Sequence, residues 1–488
     1  MPDLGDVVGR FVLSYLCRVA FFSYLCSPKT TKTMTHKFSI YRPHYGSLLR
    51  LAAPVVLSQL GQVVVQFADN AMVGRLGALP LAATAFGGSV AFILFIFGIG
   101  ISLGLTPIIG ALYARGERRE MAANLRNAVV LYTLMGVIIT ALQLAFEPLM
   151  YHLGQPVEVV DMALPYYRYM AWGMIPVMLY GAFKQFLEGV GNTTTAMVIV
   201  IVCNALNIFL NWVFIYGNLG APEMGAAGAG LATFVSRVGM PILMIGYFAV
   251  SRSVRPYIAL MQQTRLQWRR FGHLLKIGMP IATQMTLESS AFVLSGIMIG
   301  WFGTVAIAAN QITTTLSNAA FMICIGISSA ATIRVSHAYG VRHWDELRMS
   351  ANSAYHIGLC WNLFAATMFI VLRHQLPRIF TPDEAVVELT SALLVFSAMF
   401  QVVDCIQAIS IGILRGMKDV NATMGIAFLS YIVVNLPIGY LFAFPLGMGP
   451  EGVWLGYVFG LGLAALLLNR RYRHSLQRLS KRGGPEIL

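Results

Sequence analysis

Apolar runs of about 20 residues recur along the whole 488-residue chain, separated by short polar breaks. That is the length an α-helix needs to cross the hydrocarbon core of a bilayer. Inside hydrocarbon every backbone N–H and C=O must find a partner within the protein, so only helices and closed β-barrels can span it. The runs are continuous rather than alternating, which disfavours a barrel. Composition agrees: 57% of residues are hydrophobic, 11% are charged, and mean hydropathy is +0.70. The chain therefore reads as an all-α integral membrane protein.

Spans are expected near 47–73, 80–112, 126–147, 163–187, 194–216, 226–250, 272–301, 305–338, 351–372, 389–414, 421–444 and 451–469. The net charge of +14 is explained by the loops rather than by nucleic acid. Residues 113–126, 251–276 and the tail after 469 are rich in Arg and Lys, whereas 147–162 and 217–225 contain none. The positive-inside rule then puts both termini in the cytoplasm, consistent with an even number of spans. Residues 1–33 hold an apolar stretch broken by Arg18 and shorter than a span. They read as a doubtful extension, with translation expected to start at Met34.

The chain repeats itself. "LLRLAAP" (48–54) matches "LLKIGMP" (274–280), and the offset of 226 holds without a gap through Pro54/Pro280, Gly77/Gly303, Gly100/Gly326 and Tyr113/Tyr339. Later, "MGAAGAGL" (224–231) matches "MGPEGVWL" (448–455) at offset 224. Each repeat holds six spans, so both enter the membrane in the same sense. Twelve transmembrane helices are expected as two parallel six-helix bundles with pseudo-twofold symmetry about the membrane normal. The expected parts are an N-terminal bundle at 34–250, a cytoplasmic linker at 251–271, a C-terminal bundle at 272–472 and a basic tail at 473–488. Pro54 and Pro280 should permit bends in equivalent helices. Gly452, Gly456 and Gly460 are spaced for close helix packing.

Three carboxylates lie well inside spans: Asp69, Glu288 and Asp404. Gln59, Gln62, Gln66 and Asp69 fall within an arc of about 80° on the first span; Gln284, Glu288 and Ser295 within about 40° on the seventh. Ser397, Gln401 and Asp404, and likewise Asn204, Asn207 and Asn211, each share an arc of about 60°. A charge at the bilayer centre costs about 2.5–3.5 kcal/mol on insertion scales, while hydrogen bonds between helices could be had from Asn or Gln alone. No Lys or Arg reads as a deep partner, Lys184 near a span end coming nearest. The carboxylates therefore await a proton, a metal cation or a cationic substrate. The acids do not follow the duplication, since Asp69 aligns with Ser295 and Glu288 with Gln62. Two specialised sites are expected.

No phosphate-binding glycine loop is present, so transport should run on an ion gradient. The six cysteines (Cys17, Cys26, Cys203, Cys324, Cys360, Cys405) show no metal or disulfide spacing. The nine His are scattered, so an enzyme is not expected.

Taken together, "PVVLSQLGQVVVQFADNAMVGRLG", "LNIFLNWVFIYGNLGAPEMGAAGAGLAT", "AIAANQI" and "VVDCIQAISIGILRG" resemble the multidrug and toxic compound extrusion family, in its NorM-like bacterial branch, over residues 45–470. The resemblance implies an antiporter of the bacterial inner membrane that expels small cationic, amphipathic drugs and dyes in exchange for Na⁺ or H⁺. It implies a cation site at Glu288 and Asp404, with Asp69, Asn207 and Asn211 as substrate or proton groups; Gln66 and Gln284, on the polar stripes of the first and seventh spans, are expected beside them. No cofactor and no nucleic acid are expected, and the protein is expected as a monomer in the lipid bilayer. Some relatives carry tyrosine four residues before the tenth-span aspartate, where this chain has Phe400. Na⁺ coupling is favoured because two carboxylates on different helices suit a hard cation better than a lone acid does. H⁺ coupling and a lipid flippase stand as alternatives.

Overall fold

A computed structural model describes residues 34–482. The expected extension at 1–33 and the end of the basic tail lie outside the described residues. Among those described, the chain is helical throughout, with no strand. The helices are α1 (Met34–Gly74), α2 (Ala78–Leu103, continued by Leu105–Ala114), α3 (Arg118–Ala145), α4 (Val157–Trp172, continued by Met174–Gly189), α5 (Thr193–Tyr216) and α6 (Ala226–Val250). A short linker helix, Arg255–Gln263, leads to α7 (Trp268–Gly300), α8 (Thr304–Gly340), α9 (Trp344–Val371), α10 (Glu384–Gly416), α11 (Val420–Ala427, Phe428–Asn435 and Leu436–Ala443) and α12 (Pro450–Arg482).

Every expected span has its helix. Ten of the helices are long and apolar enough to cross a membrane by composition alone. The two others have local reasons to fall short. α4 is broken at Gly173 into two pieces of 16 residues. α7 carries Gln284, Thr286, Glu288, Ser289 and Ser290 within three turns, which dilutes its apolar run. Several helices also outrun the apolar stretch that announced them. α1 starts at Met34 rather than near 47, and α12 runs on to Arg482 rather than ending near 469. Their amphipathic ends find partners: Tyr45 Oη lies 2.6 Å from His356 Nδ1, and Arg471 bonds Asp419 at 2.7 Å. α1 and α7 run helical through Pro54 and Pro280.

The duplication is visible in the backbone. Gly77 and Gly303 precede α2 and α8 with φ of 125° and 100°, a region a β-carbon disfavours. The first half packs around Tyr132, Phe186 and Phe248, and the second around Leu347, Ile409, Trp454 and Tyr457. On α12, Gly452 faces Ala443, Gly456 faces Gly439, and Gly460 faces Asn435, so small residues let α12 approach α11 backbone to backbone. The linker is fastened to the first half: Tyr257 packs edge-on to Phe186 at 5.0 Å, and Arg126 donates to the carbonyls of Met261 and Thr264.

Candidate functional site

The halves meet through small residues near the basic loops. Gly100 lies on Ala282, Gly104 on Gly278, Gly326 on Val56, Gly110 on Ser336 and Gly340 on Ala111. These contacts obey the duplication: the pair Gly100/Ala282 maps onto Gly326/Val56 at offset 226. His337 Nε2 adds a bond of 2.7 Å to the Gly189 carbonyl. Toward the other end the same helix faces part. The face of α1 that carries Ala52, Val56 and Gln59 continues to Gln66 and Asn70, both exposed. Gln59 still reaches Met322 of α8, but beyond it Ala319 and Thr315 lie open on the facing helix. The halves thus form a cleft, shut at the basic-loop end and open at the other.

One polar cluster belongs to the first half. α5 is started by Asn192, whose side chain accepts from the Thr195 N–H at 3.2 Å, and its face carries Asn204, Asn207 and Asn211 at helical spacing. Asn211, fully buried, donates to the Asp69 carboxylate on α1. In the amide orientation that satisfies both its polar atoms, Asn207 donates to Asp69 at 3.0 Å and accepts from Thr233 of α6 at 3.3 Å. Asn204 lies apart from this cluster against Gly61, its Nδ2 buried without a partner. Gln66 is also apart, on the cleft wall.

The expectation that no cation lies deep in a span is corrected here. Arg237 sits in the middle of α6, within electrostatic range of Asp69. Its Nη1 donates to the Met170 carbonyl at 3.2 Å, and its guanidinium lies 4.9 Å from the centre of the Phe95 ring. Hydrogen bonding and a ring face offset part of the cost of taking the cation out of water. Lys184, by contrast, pairs locally with Glu188 at 3.7 Å.

The second cluster belongs to the other half. Gln284 Nε2 donates to Glu288 at 2.7 Å, while Gln284 Oε1 accepts from Arg415 of α10 at 2.7 Å. The Tyr431 hydroxyl of α11 also lies beside Glu288 and accepts from Gln407 at 2.7 Å. Asp404, only 3% exposed, stands one turn before Gln407 and within electrostatic range of both Glu288 and Tyr431. Ser397 and Gln401, on the same stripe of α10, instead bond Ser317 of α8 and tie helices together. Phe400 is in an aromatic cluster with Phe292, Trp454 and Tyr457, so that position offers no oxygen.

Tyr431 compensates from a different helix. It lies in Phe428–Asn435, a π-helical stretch inside α11. Such a stretch changes which side chains share a face, so 3.6-residue periodicity does not reveal Tyr431. Arg415 and Gln407 were legible only as polar residues of α10. Arg237 had a visible signal, an arginine inside an apolar run. The second cluster offers two carboxylates, a phenol oxygen and amide oxygens, a set suited to a proton or a hard cation. Among the described residues, no three His, Cys, Asp or Glu side chains converge as a transition-metal site would require.

Comparison with known proteins agrees with this architecture. The sequence profile of the MatE family matches twice, at residues 54–213 and 280–441, starting from the two equivalent prolines. The multidrug resistance protein MdtK of Edwardsiella ictaluri is 32% identical over 447 residues, covering 89% of this chain and 96% of its own length. The multidrug resistance protein NorM of Vibrio vulnificus is 29% identical over 442 residues, covering 90% and 97%. A solved structure described as the outward-facing conformation of a multidrug resistance MATE family transporter superposes with a TM-score of 0.82 at 22% identity, covering 92% of this chain and all of that one.

Proposed function

The chain belongs to the MatE family, and from that premise we propose that it is a secondary active multidrug efflux antiporter, exporting cationic amphipathic compounds in exchange for Na⁺. The observation that carries this reading is the division of buried acids between the halves. Asp69 is held within the first half by Asn211 and Asn207, and Glu288 stands with Asp404 in the other half. A lipid flippase would need a cationic cavity for anionic head groups. Transport, not catalysis, is the proposed activity, with no cofactor.

The proposed cycle uses the two sites in turn. A drug enters the cleft when it faces the cytoplasm, drawn by carboxylate charge and packed on apolar side chains. The bundles at 34–250 and 272–472 rock about the seam, and the linker at 251–271 joins them. A cation then binds at Glu288 and Asp404 from outside, with the Tyr431 oxygen as a further donor, and lowers drug affinity. Coupling requires only that each ligand prefer a different arrangement of the halves. The site is proposed for a monomer in the bacterial inner membrane, with both termini cytoplasmic.

Proton coupling is the second reading. It is favoured by the bond from Gln284 to Glu288, which occupies an oxygen that a metal ion would otherwise use. The test is purified protein in liposomes loaded with an organic cation dye. A Na⁺ gradient and a pH gradient are imposed separately. Dye exchange driven by Na⁺ alone is the expected result. Exchange driven only by pH would transfer the role to protons, and exchange driven by neither would overturn antiport.

A further inference from the structure

A cavity of about 430 Å³ opens on the seam between the halves at the basic-loop end. The first half contributes Ala111 and Arg115; the second contributes Arg342, Trp344 and Lys418. Gly340, also in its wall, packs on Ala111, so the cavity is complete only while the halves meet. Arg115 is shared with Glu117 at 3.2 Å. Among the described residues, no carboxylate forms an ion pair with Arg342 or Lys418. Burial, and then the charge of Arg115, push the Lys418 ammonium below its usual value, with Glu117 opposing. The cavity thus gathers like charges that one weak ion pair leaves largely uncompensated.

The backbone adds an independent observation. Four turns share one geometry, in which an N–H bonds the carbonyl five residues earlier: Glu117 to Leu112, Asn192 to Leu187, His343 to Ala338 and Asp419 to Leu414. This helix ending needs one left-handed residue, ordinarily glycine. The first repeat supplies Gly116 (φ 72°) and Gly191 (φ 86°). At the matching turns the second repeat has Arg342 (φ 60°) and Lys418 (φ 61°), which adopt this conformation at a steric cost. Both replacements are cationic, and both line the same cavity.

We propose that this cavity binds a phosphate-bearing anion that bridges the seam and holds the basic-loop end shut. The guanidinium groups can each fork onto phosphate oxygens, and Lys418 adds a compact charge. Because Arg115 lies in one half and Arg342 and Lys418 in the other, the anion gains all its contacts only in the shut arrangement. That differential affinity shifts the population toward it. The anion can be a lipid headgroup from the adjoining leaflet or a soluble phosphate.

The test is thermal unfolding of the purified protein in phosphatidylcholine nanodiscs. One arm adds phosphatidylglycerol to the bilayer, one adds soluble pyrophosphate, and one adds neither. The key variant is Arg342→Gly with Lys418→Gly, which restores the residue the turns prefer and so keeps the fold. Arg119→Gln, an exposed arginine outside the cavity, is the control. The expected result is a rise in Tm for wild type and the control, with half-effect in the double variant moved about tenfold or more upward. A rise with phosphatidylglycerol alone assigns a headgroup; a rise with pyrophosphate alone assigns a soluble ligand. No rise in either arm, or an equal rise in the double variant, overturns the proposal.

Discussion

Gly110 packs against Ser336, and the two are the same position of the two repeats, related by the offset of the duplication. A residue can meet its own repeat mate only on the axis that relates them, as in a twofold interface between identical subunits. The pseudo-twofold axis therefore passes through the shut end of the cleft. Opening that end must separate these two residues. A Cβ at Gly110 would stand 3.0 Å from the Ser336 Cβ, closer than the about 3.5–4.5 Å a disulfide spans, so a bridge forms once the two helices ease apart by about half an ångström. Gly110→Cys combined with Ser336→Cys is expected to cross-link under mild oxidation and to abolish dye efflux until a reductant is added. Each single variant should remain insensitive to oxidant. Undiminished efflux from fully cross-linked protein would show that the seam need not part.

Tyr431 brings a hydroxyl to Glu288 that Phe400 cannot supply from α10. Tyr431→Phe removes that oxygen and the acceptor of the Gln407 amide, and keeps the ring. Losing one bond to a charged group costs about 1.5–3 kcal/mol, equivalent to roughly a tenfold or larger change in binding. The half-saturating concentration of the coupling cation should rise by about that factor in liposome exchange, with maximal rate little altered. The cation dependence of Glu288→Gln and Asp404→Asn should vanish altogether, while both variants still reach the membrane. Wild-type cation dependence in all three would remove this cluster from coupling.

Asp69 accepts from Asn211 and Asn207, so it is held by neutral amides rather than left open. Asp69→Asn keeps size and most hydrogen-bonding capacity but loses the charge. It is expected to reduce binding of organic cation dyes by about tenfold or more while leaving neutral amphiphiles unaffected. Equilibrium fluorescence with one cationic and one neutral dye separates the outcomes. Equal weakening of both dyes would mean that Asp69 shapes the wall rather than attracting charge.

The fold was legible because a bilayer restricts backbone so severely. Runs near 194–216 and 226–250 differ little from α5 and α6, whereas α3 begins eight residues before the expected 126. The offset of 226 carried more, since Gly100/Gly326 and Pro54/Pro280 fixed the arrangement of the halves without any measured distance. The acids stood out because an ionisable residue in an apolar run has few reasons to be there. Their neighbours did not. Tyr431 depends on a π-helical stretch that no α-helical period describes. Asn204 shares a helical arc with Asn207 and Asn211 and still meets Gly61 rather than Asp69, because residues two turns apart on α5 reach different turns of α1. Arg237 was open to view at the middle of an apolar run. Its meaning depends on Met170, Phe95 and Asp69, which come from three other helices.

Arg237 and Asp69 lie on α6 and α1, near enough for each to feel the other's charge. Arg237→Met leaves the Phe95 face occupied by a flexible apolar chain but removes the bond to the Met170 carbonyl and the positive charge near Asp69. Stability should fall by about 1–3 kcal/mol through the lost bond and the uncompensated carboxylate. Adding Asp69→Asn should return part of that loss, because the carboxylate no longer needs a counter-charge. A double-mutant cycle on Tm in detergent is expected to give a coupling of about 0.5–1 kcal/mol between the two positions. Strict additivity would mean that Arg237 acts only as a brace between α6, α4 and α2. Coupling of the expected size would mean that the charge of Arg237 sets how strongly Asp69 attracts a cation into the cleft.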